Sequence, residues 1–121
     1  MKPGSIGWVD LTVHDAEGIR DFYQSVVGWT PHSVDMGEYN DYSMAPEEGG
    51  PVAGICHAKG ENAELPPTWL IYIIVPDLDA SLERCRQLGG KVLTQPRTMG
   101  KAKFCAIEDP SGAPCALYQP E

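Results

Sequence analysis

One pattern runs through this chain twice, and nothing else in the sequence constrains its fold as strongly. Val13-His14-Asp15 leads into a helical stretch that closes at Gly28, and Val75-Pro76-Asp77 leads into another that closes at Gly90. Each landmark lies 62 positions from its counterpart, and the pairs Gly50/Gly112 and Tyr42/Phe104 keep that displacement. A constant offset through strand, helix and late-strand positions means two copies of one supersecondary unit. Paired units usually enclose a cleft, and its equivalent positions can then be compared directly.

Residues 6–13 alternate, with Val9, Leu11 and Val13 on one face and Trp8, Asp10 and Thr12 on the other. This predicts a strand with one face on a core. Asp15 suits a helix N-cap. Ile19, Phe22, Tyr23, Val26 and Val27 follow as one apolar stripe,, and Gly28 terminates the helix. Strands over 29–35, 39–45 and 51–58 come next, separated by a turn at Met36-Gly37-Glu38 and a loop over 46–50,. Residues 60–67 are aperiodic, end in two prolines and read as a linker,.

The second half repeats this order. A β-branched-rich strand covers 69–75,. Asp77 then caps a helix with Leu78, Leu82, Cys85 and Leu88 facing inward, ended by Gly89-Gly90. Strands follow over 92–95, 103–107 and 114–119, with a turn signal at Asp109-Pro110-Ser111-Gly112,. The expected fold class is α+β: two βαβββ modules, 5–59 and 68–120, joined by the linker 60–67 in a single domain 1–121. Each helix covers one sheet face and leaves the other to line a concavity between cupped sheets.

A hydrophobic fraction of 42% supports a packed interior,. The net charge of −8 argues against a nucleic-acid partner, which needs a basic face, and against an anionic membrane surface,. No apolar run is long enough to cross a membrane, and residues 1–6 lack the apolar stretch of a signal peptide,. Cys56, Cys85, Cys105 and Cys115 form no C-x-x-C pair and have no His at zinc-site spacing,. They read as reduced, mostly buried thiols of a cytoplasmic protein, with a disulfide left open by the even count.

Taken together, Val13-x-Asp15, Asp21-Phe22-Tyr23, Gly28-Trp29, Val75-Pro76-Asp77, Leu88-Gly89-Gly90 and Asp109-Pro110-Ser111-Gly112 give the chain a resemblance to a known family. It resembles the vicinal oxygen chelate superfamily, which contains glyoxalase I, bleomycin-resistance proteins and extradiol dioxygenases. The nearest likeness is to small proteins described as relatives of lactoylglutathione lyase, through Gly28-Trp29 and Val52-Ala53-Gly54-Ile55. The resemblance covers almost the whole chain and implies two βαβββ modules around a ligand cleft. It also implies a homodimer and a divalent metal held by His, Glu or Gln at equivalent strand positions. Those positions fall here on Trp8, Gly54, Leu70 and Ala116. None is a ligand suited to Zn, Ni, Fe or Mn, so neither a metal nor any other cofactor is expected.

The cleft face is expected to carry Trp8, Asp10, Leu70, Tyr72, Tyr118 and Cys56 as ligand-binding residues. Trp8 is either a stacking wall for a flat or sugar-like ligand or a plug in the space a metal would fill. Asp10 is a candidate general base if apolar neighbours raise its pKa, and otherwise a solvated or paired carboxylate. Tyr72, its repeat mate, is the second candidate for acid–base work, or else anchors to backbone. Tyr118 either closes the pocket or packs. Cys56 is a nucleophile only beside a His or a positive charge, and His57, next in sequence, points to the other face. His14, His32 and His57 read as surface or capping residues, and Ser111 sits in a turn with no serine-hydrolase elbow around it.

The sequence therefore predicts a metal-free small-molecule binding protein. The alternatives are a glyoxalase-like lyase or isomerase, or a dioxygenase, with a non-standard metal or acid–base site; a regulatory or assembly subunit is a third reading. The expected partner is a small molecule, with no nucleic acid and no membrane.

Overall fold

The computed structural model describes residues 1–121. These divide into two compact units, an N-terminal unit of residues 9–69 and a C-terminal unit of residues 70–121 together with 1–8. Residues at the chain's start join the later unit because Gly4 N–H donates to the Ile74 carbonyl at 2.7 Å and Ile74 N–H to the Ser5 carbonyl at 2.8 Å.

The N-terminal unit runs from β1 (Ile6–Val13, of which 9–13 belong here) through α1 (Ala16–Val27), β2 (Thr30–Asp35), β3 (Asn40–Ala45) and β4 (Ala53–His57). Its strand order is β2-β3-β4-β1, with the β4/β1 pair parallel and the others antiparallel. Asp15 caps α1 by accepting the Gly18 N–H at 3.0 Å,. Gly28 ends it with φ 78, a left-handed conformation that glycine adopts without a Cβ clash,. Ala16, Tyr42, Met44 and Ile55 form the core, and Val13, Ile19, Tyr23, Trp29 and Trp69 pack on it. The stretch read as a linker begins with a 3₁₀ turn, Gly60–Asn62.

The apolar stripe of α1 is only partly a core stripe. Ile19 and Tyr23 face inward, but Phe22, Val26 and Val27 are 53%, 60% and 53% exposed. Tyr23 meets Trp29 at 5.8 Å and Trp69 at 5.4 Å between ring centroids.

The C-terminal unit holds β5 (Trp69–Ile74, of which 70–74 belong here), α2 (Leu78–Gln87), β6 (Lys91–Val92), β7 (Arg97–Met99), β8 (Ala102–Glu108) and β9 (Pro114–Gln119). Its strand order is β5-β9-β8-β6, with β7 also on β8; β5/β9 is parallel and the other pairs are antiparallel. Leu78, Leu82, Cys105, Ile107 and Leu117 make the core beneath α2, with Ile73, Val75, Cys85, Val92 and Cys115 against it. Leu88, expected to face inward, is 76% exposed. It is the C-cap residue, with φ −100 and ψ 12, and has already left the helical stripe. Gly90 is required by close approach, since a Cβ there would lie 2.6 Å from Cys85 Sγ and 3.0 Å from the Glu108 carbonyl oxygen.

The internal repeat is visible in the register, and so is its limit. Asp10 pairs with Gly54 and Tyr72 with Ala116, so both partners shift by the same 62 positions. The outer pair differs. Met44 is opposite Ala53, whereas Ile107 is opposite Cys115, so the β8–β9 connection is one residue shorter than the β3–β4 connection. A one-residue slip moves every side chain of a strand to the other face. Tyr42 accordingly lies in the α1 core, while Phe104, its equivalent by simple offset, points away from α2.

A further departure lies at 92–99, where one strand was expected over 92–95. Two short strands form instead, β6 opposite 107–108 and β7 opposite 102–104. Pro96 cannot donate to a ladder. Between the two, the Ala106 N–H is satisfied by Thr94 Oγ1 at 3.0 Å.

All four cysteines are free thiols. Burial pushes the thiols of Cys105 and Cys115 up, against two hydrogen bonds to Thr94 that pull Cys105 down. Alkylation of these two by iodoacetamide near neutral pH is therefore expected to be slower than that of free cysteine, and to accelerate as pH rises and the thiolate forms. Site-resolved mass spectrometry checks this, and rapid labelling of Cys105 at neutral pH contradicts the packing. A second expectation separates the two leucines of the α2 region. Leu82→Ala destabilises by about 2–5 kcal/mol in urea unfolding, whereas Leu88→Ala stays within about 0.5 kcal/mol.

Candidate functional site

The face of the C-terminal unit turned away from α2 carries a row of aromatic rings. Ile73, Cys105 and Leu117 face the helix, so alternation sends Tyr72, Phe104 and Tyr118 to the other side. Strand pairing brings them together, since Tyr72 is opposite Ala116, two residues from Tyr118 on β9, and Phe104 is opposite Tyr118. The Tyr72–Phe104 and Phe104–Tyr118 centroids are each 6.4 Å apart, the second pair stacked at 21°. Ala106 and Ala116 pair directly on the same face, and their small side chains leave the rings standing above it.

Arg97 joins this row because β7 places it opposite Phe104. Its guanidinium carbon lies 4.9 Å from the Phe104 ring centroid, within cation–π range. All four side chains are half-buried. Flat apolar walls beside a fixed positive charge suit recognition of a planar molecule.

The residues singled out from sequence separate as follows. Tyr72 and Tyr118 come together around Phe104. Leu70, on the same strand as Tyr72, is 1% exposed. Trp8 lies in the C-terminal unit and is half-buried. Asp10 and Cys56 lie in the N-terminal unit, on one face of the β1/β4 pair through the Asp10/Gly54 and Thr12/Cys56 partners. Phe104 and Arg97 were not anticipated. Phe104 was equated with Tyr42, and counting the shorter Asp109–Gly112 connector is what distinguishes them. Arg97 was hidden behind the strand break at Pro96.

The strand positions where a family metal would be held carry indole, hydrogen, isobutyl and methyl side chains, on Trp8, Gly54, Leu70 and Ala116. No three His, Cys, Asp or Glu side chains converge as a ligand set anywhere in the chain. The residues present do not fit that metal.

His57 corrects the reading of the histidines as surface groups. It is 7% exposed and points toward α1, where its Nε2 meets the Glu17 carboxylate. Asp41 Oδ1 lies 3.2 Å from Nδ1 and also accepts the His57 backbone N–H at 2.9 Å. The Tyr39 ring stands edge-on at 5.1 Å, with Lys59 Nζ 4.5 Å above it. This group ties α1 to β3 and β4. Nearby in the same unit, an apolar hollow of about 560 Å³ opens between α1 and the 67–69 segment, lined in part by Phe22, Tyr23 and Trp69. Trp69 Nε1 donates to Tyr23 Oη at 3.2 Å along its wall.

Comparison with known proteins extends this picture. Residues 5–117 match the family described as Glyoxalase/Bleomycin resistance protein/Dioxygenase superfamily. "Putative glyoxylase CFP32" of Mycobacterium tuberculosis is 35% identical over 121 residues, which cover 98% of this chain and 46% of that protein. "Anthracycline biosynthesis protein DnrV" of Streptomyces peucetius is 32% identical over 111 residues, covering 92% of this chain and 40% of that protein. The chain thus spans about half the length of the curated relatives it matches. Among solved structures, a variant of Streptomyces coelicolor methylmalonyl-CoA epimerase in complex with 2-nitronate-propionyl-CoA is similar in fold. Its TM-score is 0.59 at 17% identity, over 98% of this chain and 95% of that one. With an α+β fold shared with such structures and a family match over nearly its whole length, the chain belongs to the Glyoxalase/Bleomycin resistance protein/Dioxygenase superfamily.

Proposed function

We propose that this chain is a small-molecule binding module of its superfamily that works without the usual divalent metal and takes a planar ligand against the ring face of its C-terminal unit. The observation that carries this reading is the row Tyr72–Phe104–Tyr118, three half-buried rings on one face at 6.4 Å spacing. Aromatic faces attract flat ligands beyond the area they bury, by about 0.5–1.5 kcal/mol per pair. One relative is named for anthracycline biosynthesis, and anthracyclines are planar polycyclic molecules. In this reading Trp8 adds a wall from the same unit, and the buried Leu70 supports β5 from within. The chain acts as a cytoplasmic homodimer. In support, the relatives are roughly twice its length, apolar side chains lie exposed on α1, and all its thiols are free. No helix is long and apolar enough to cross a membrane.

A second reading, a lyase or isomerase, is favoured by the name of the mycobacterial relative. It would rest on Asp10 as general base, with Cys56 on the same face of the β1/β4 pair. It predicts turnover of a glyoxalase-type hemithioacetal that Asp10→Asn abolishes.

The binding reading is tested with 2-naphthamide, a neutral planar probe, by isothermal titration calorimetry. Phe104→Ala is expected to weaken binding on the order of tenfold, and Tyr118→Ala to act in the same direction. Leu88→Ala, remote from the rings, serves as control. Affinity that is indifferent to both ring substitutions overturns the reading.

A further inference from the structure

We propose that the apolar hollow of the N-terminal unit is a second ligand site, shaped for an uncharged, non-planar aromatic molecule that carries one hydrogen-bond acceptor, such as a carbonyl. The hollow lies between α1 and the 67–69 segment, within residues 9–69. It shares no residue with the ring face, so either reading can fail without the other.

Three observations carry it. The first is the shape of the walls. At about 560 Å³, the hollow falls within the roughly 300–1,000 Å³ of small-molecule pockets. Leu11, Val13 and Ile19 contribute aliphatic surface, and Phe22, Tyr23 and Trp69 contribute rings. These rings stand nearly perpendicular to one another. Phe22 meets Tyr23 at 86° and Tyr23 meets Trp69 at 78°, with centroids 5.1 and 5.4 Å apart. Walls set at right angles fit a body with thickness, which can offer an edge to one ring and a face to the next.

The second is a hydroxyl with a hydrogen bond left to give. Trp69 Nε1 donates to Tyr23 Oη at 3.2 Å, so the phenol serves there as acceptor. A phenol also has one O–H donor, and this one is not spent on another group of the chain. Thr68 brings a further hydroxyl to the same hollow. A ligand acceptor meets a donor on an otherwise apolar wall, the pattern that orients small molecules in such pockets.

The third is charge. No Asp, Glu, Lys, Arg or His lines the hollow. An ionised ligand would lose its water here without gaining a counter-charge, and the net charge of −8 further opposes an anion,. The walls therefore favour a neutral molecule.

The test compares benzophenone with diphenylmethane by equilibrium dialysis on the full chain. Both carry two twisted phenyl rings, and only the first has a carbonyl between them. Wild type is expected to bind benzophenone about fivefold or more the tighter. The double variant Tyr23→Phe with Trp69→Phe removes the hydroxyl and the indole N–H that would otherwise replace it, and should abolish that preference. Phe22→Ala takes away one wall and is expected to weaken both probes on the order of tenfold. Phe22 is exposed and outside the core cluster, so this variant keeps the test decisive should the double variant fail to fold in thermal melts. Location is read separately. Near-ultraviolet light inserts bound benzophenone into neighbouring C–H bonds, and peptide mass spectrometry should place the adduct within residues 11–23 or 67–69. Equal affinity of wild type for the two probes, or a preference that survives the folded double variant, overturns the proposal. So does benzophenone binding that is indifferent to Phe22→Ala. Adducts confined to β8 and β9, with binding lost in Phe104→Ala, overturn it in favour of the ring face.

Discussion

Side chains alternate along a strand, so the length of a connection decides which half of them meets the core. In the second repeat that decision is made at the turn between β8 and β9. Asp109 Oδ1 accepts the N–H groups of Ser111 at 2.8 Å and Ala113 at 3.1 Å, together with the Ser111 hydroxyl. Those hydrogen bonds hold its carboxyl below the usual range,, and they close the chain one residue sooner than the loop after β3 does. Cys105 and Ile107 are thereby turned toward α2, and Phe104 is sent to the far side. The core of the C-terminal unit and its aromatic face are two results of one short turn.

Duplication supplies two equal units, and small differences in connections then make them unlike. In the N-terminal unit the aromatic residues gather on the helix side, where Tyr23, Trp29 and Trp69 meet within 6 Å of one another. In the C-terminal unit aromatic rings stand on the face away from the helix, and the core beneath α2 is aliphatic and thiol. Phe104 differs from Tyr42 less in chemistry than in the parity of the connector that follows it.

Much of the fold was legible from sequence because its determinants are local. Asp15 and Asp77 each accept the N–H three residues on, as an N-cap does, and Gly28 ends α1 as expected. The alternation of Val9, Leu11 and Val13 made β1 readable. Tyr72 and Tyr118 were reached through the same alternation. What escaped depends on contacts distant in sequence. Trp29 and Trp69 pack on a core that Val26 and Val27 do not join, Glu17 and Asp41 draw His57 inward from two different elements, and the β8–β9 register controls Phe104. A fixed 62-residue offset cannot see a connector that has lost one residue. Leu88 belongs to another class, since its apolar character fits the stripe while its backbone has already left the helix.

The break at Pro96 has a consequence beyond placing Arg97. On the side of β8 away from β9, the ladder is finished by two fragments of two and three residues rather than by one continuous strand. Such an edge offers an incoming chain only short, interrupted rows of backbone donors and acceptors. Thr94 further occupies a hydrogen-bonding position with a side chain. The irregularity that carries the cation therefore also makes this border a poor template for a further strand, which guards the ring face and its edge against templated aggregation.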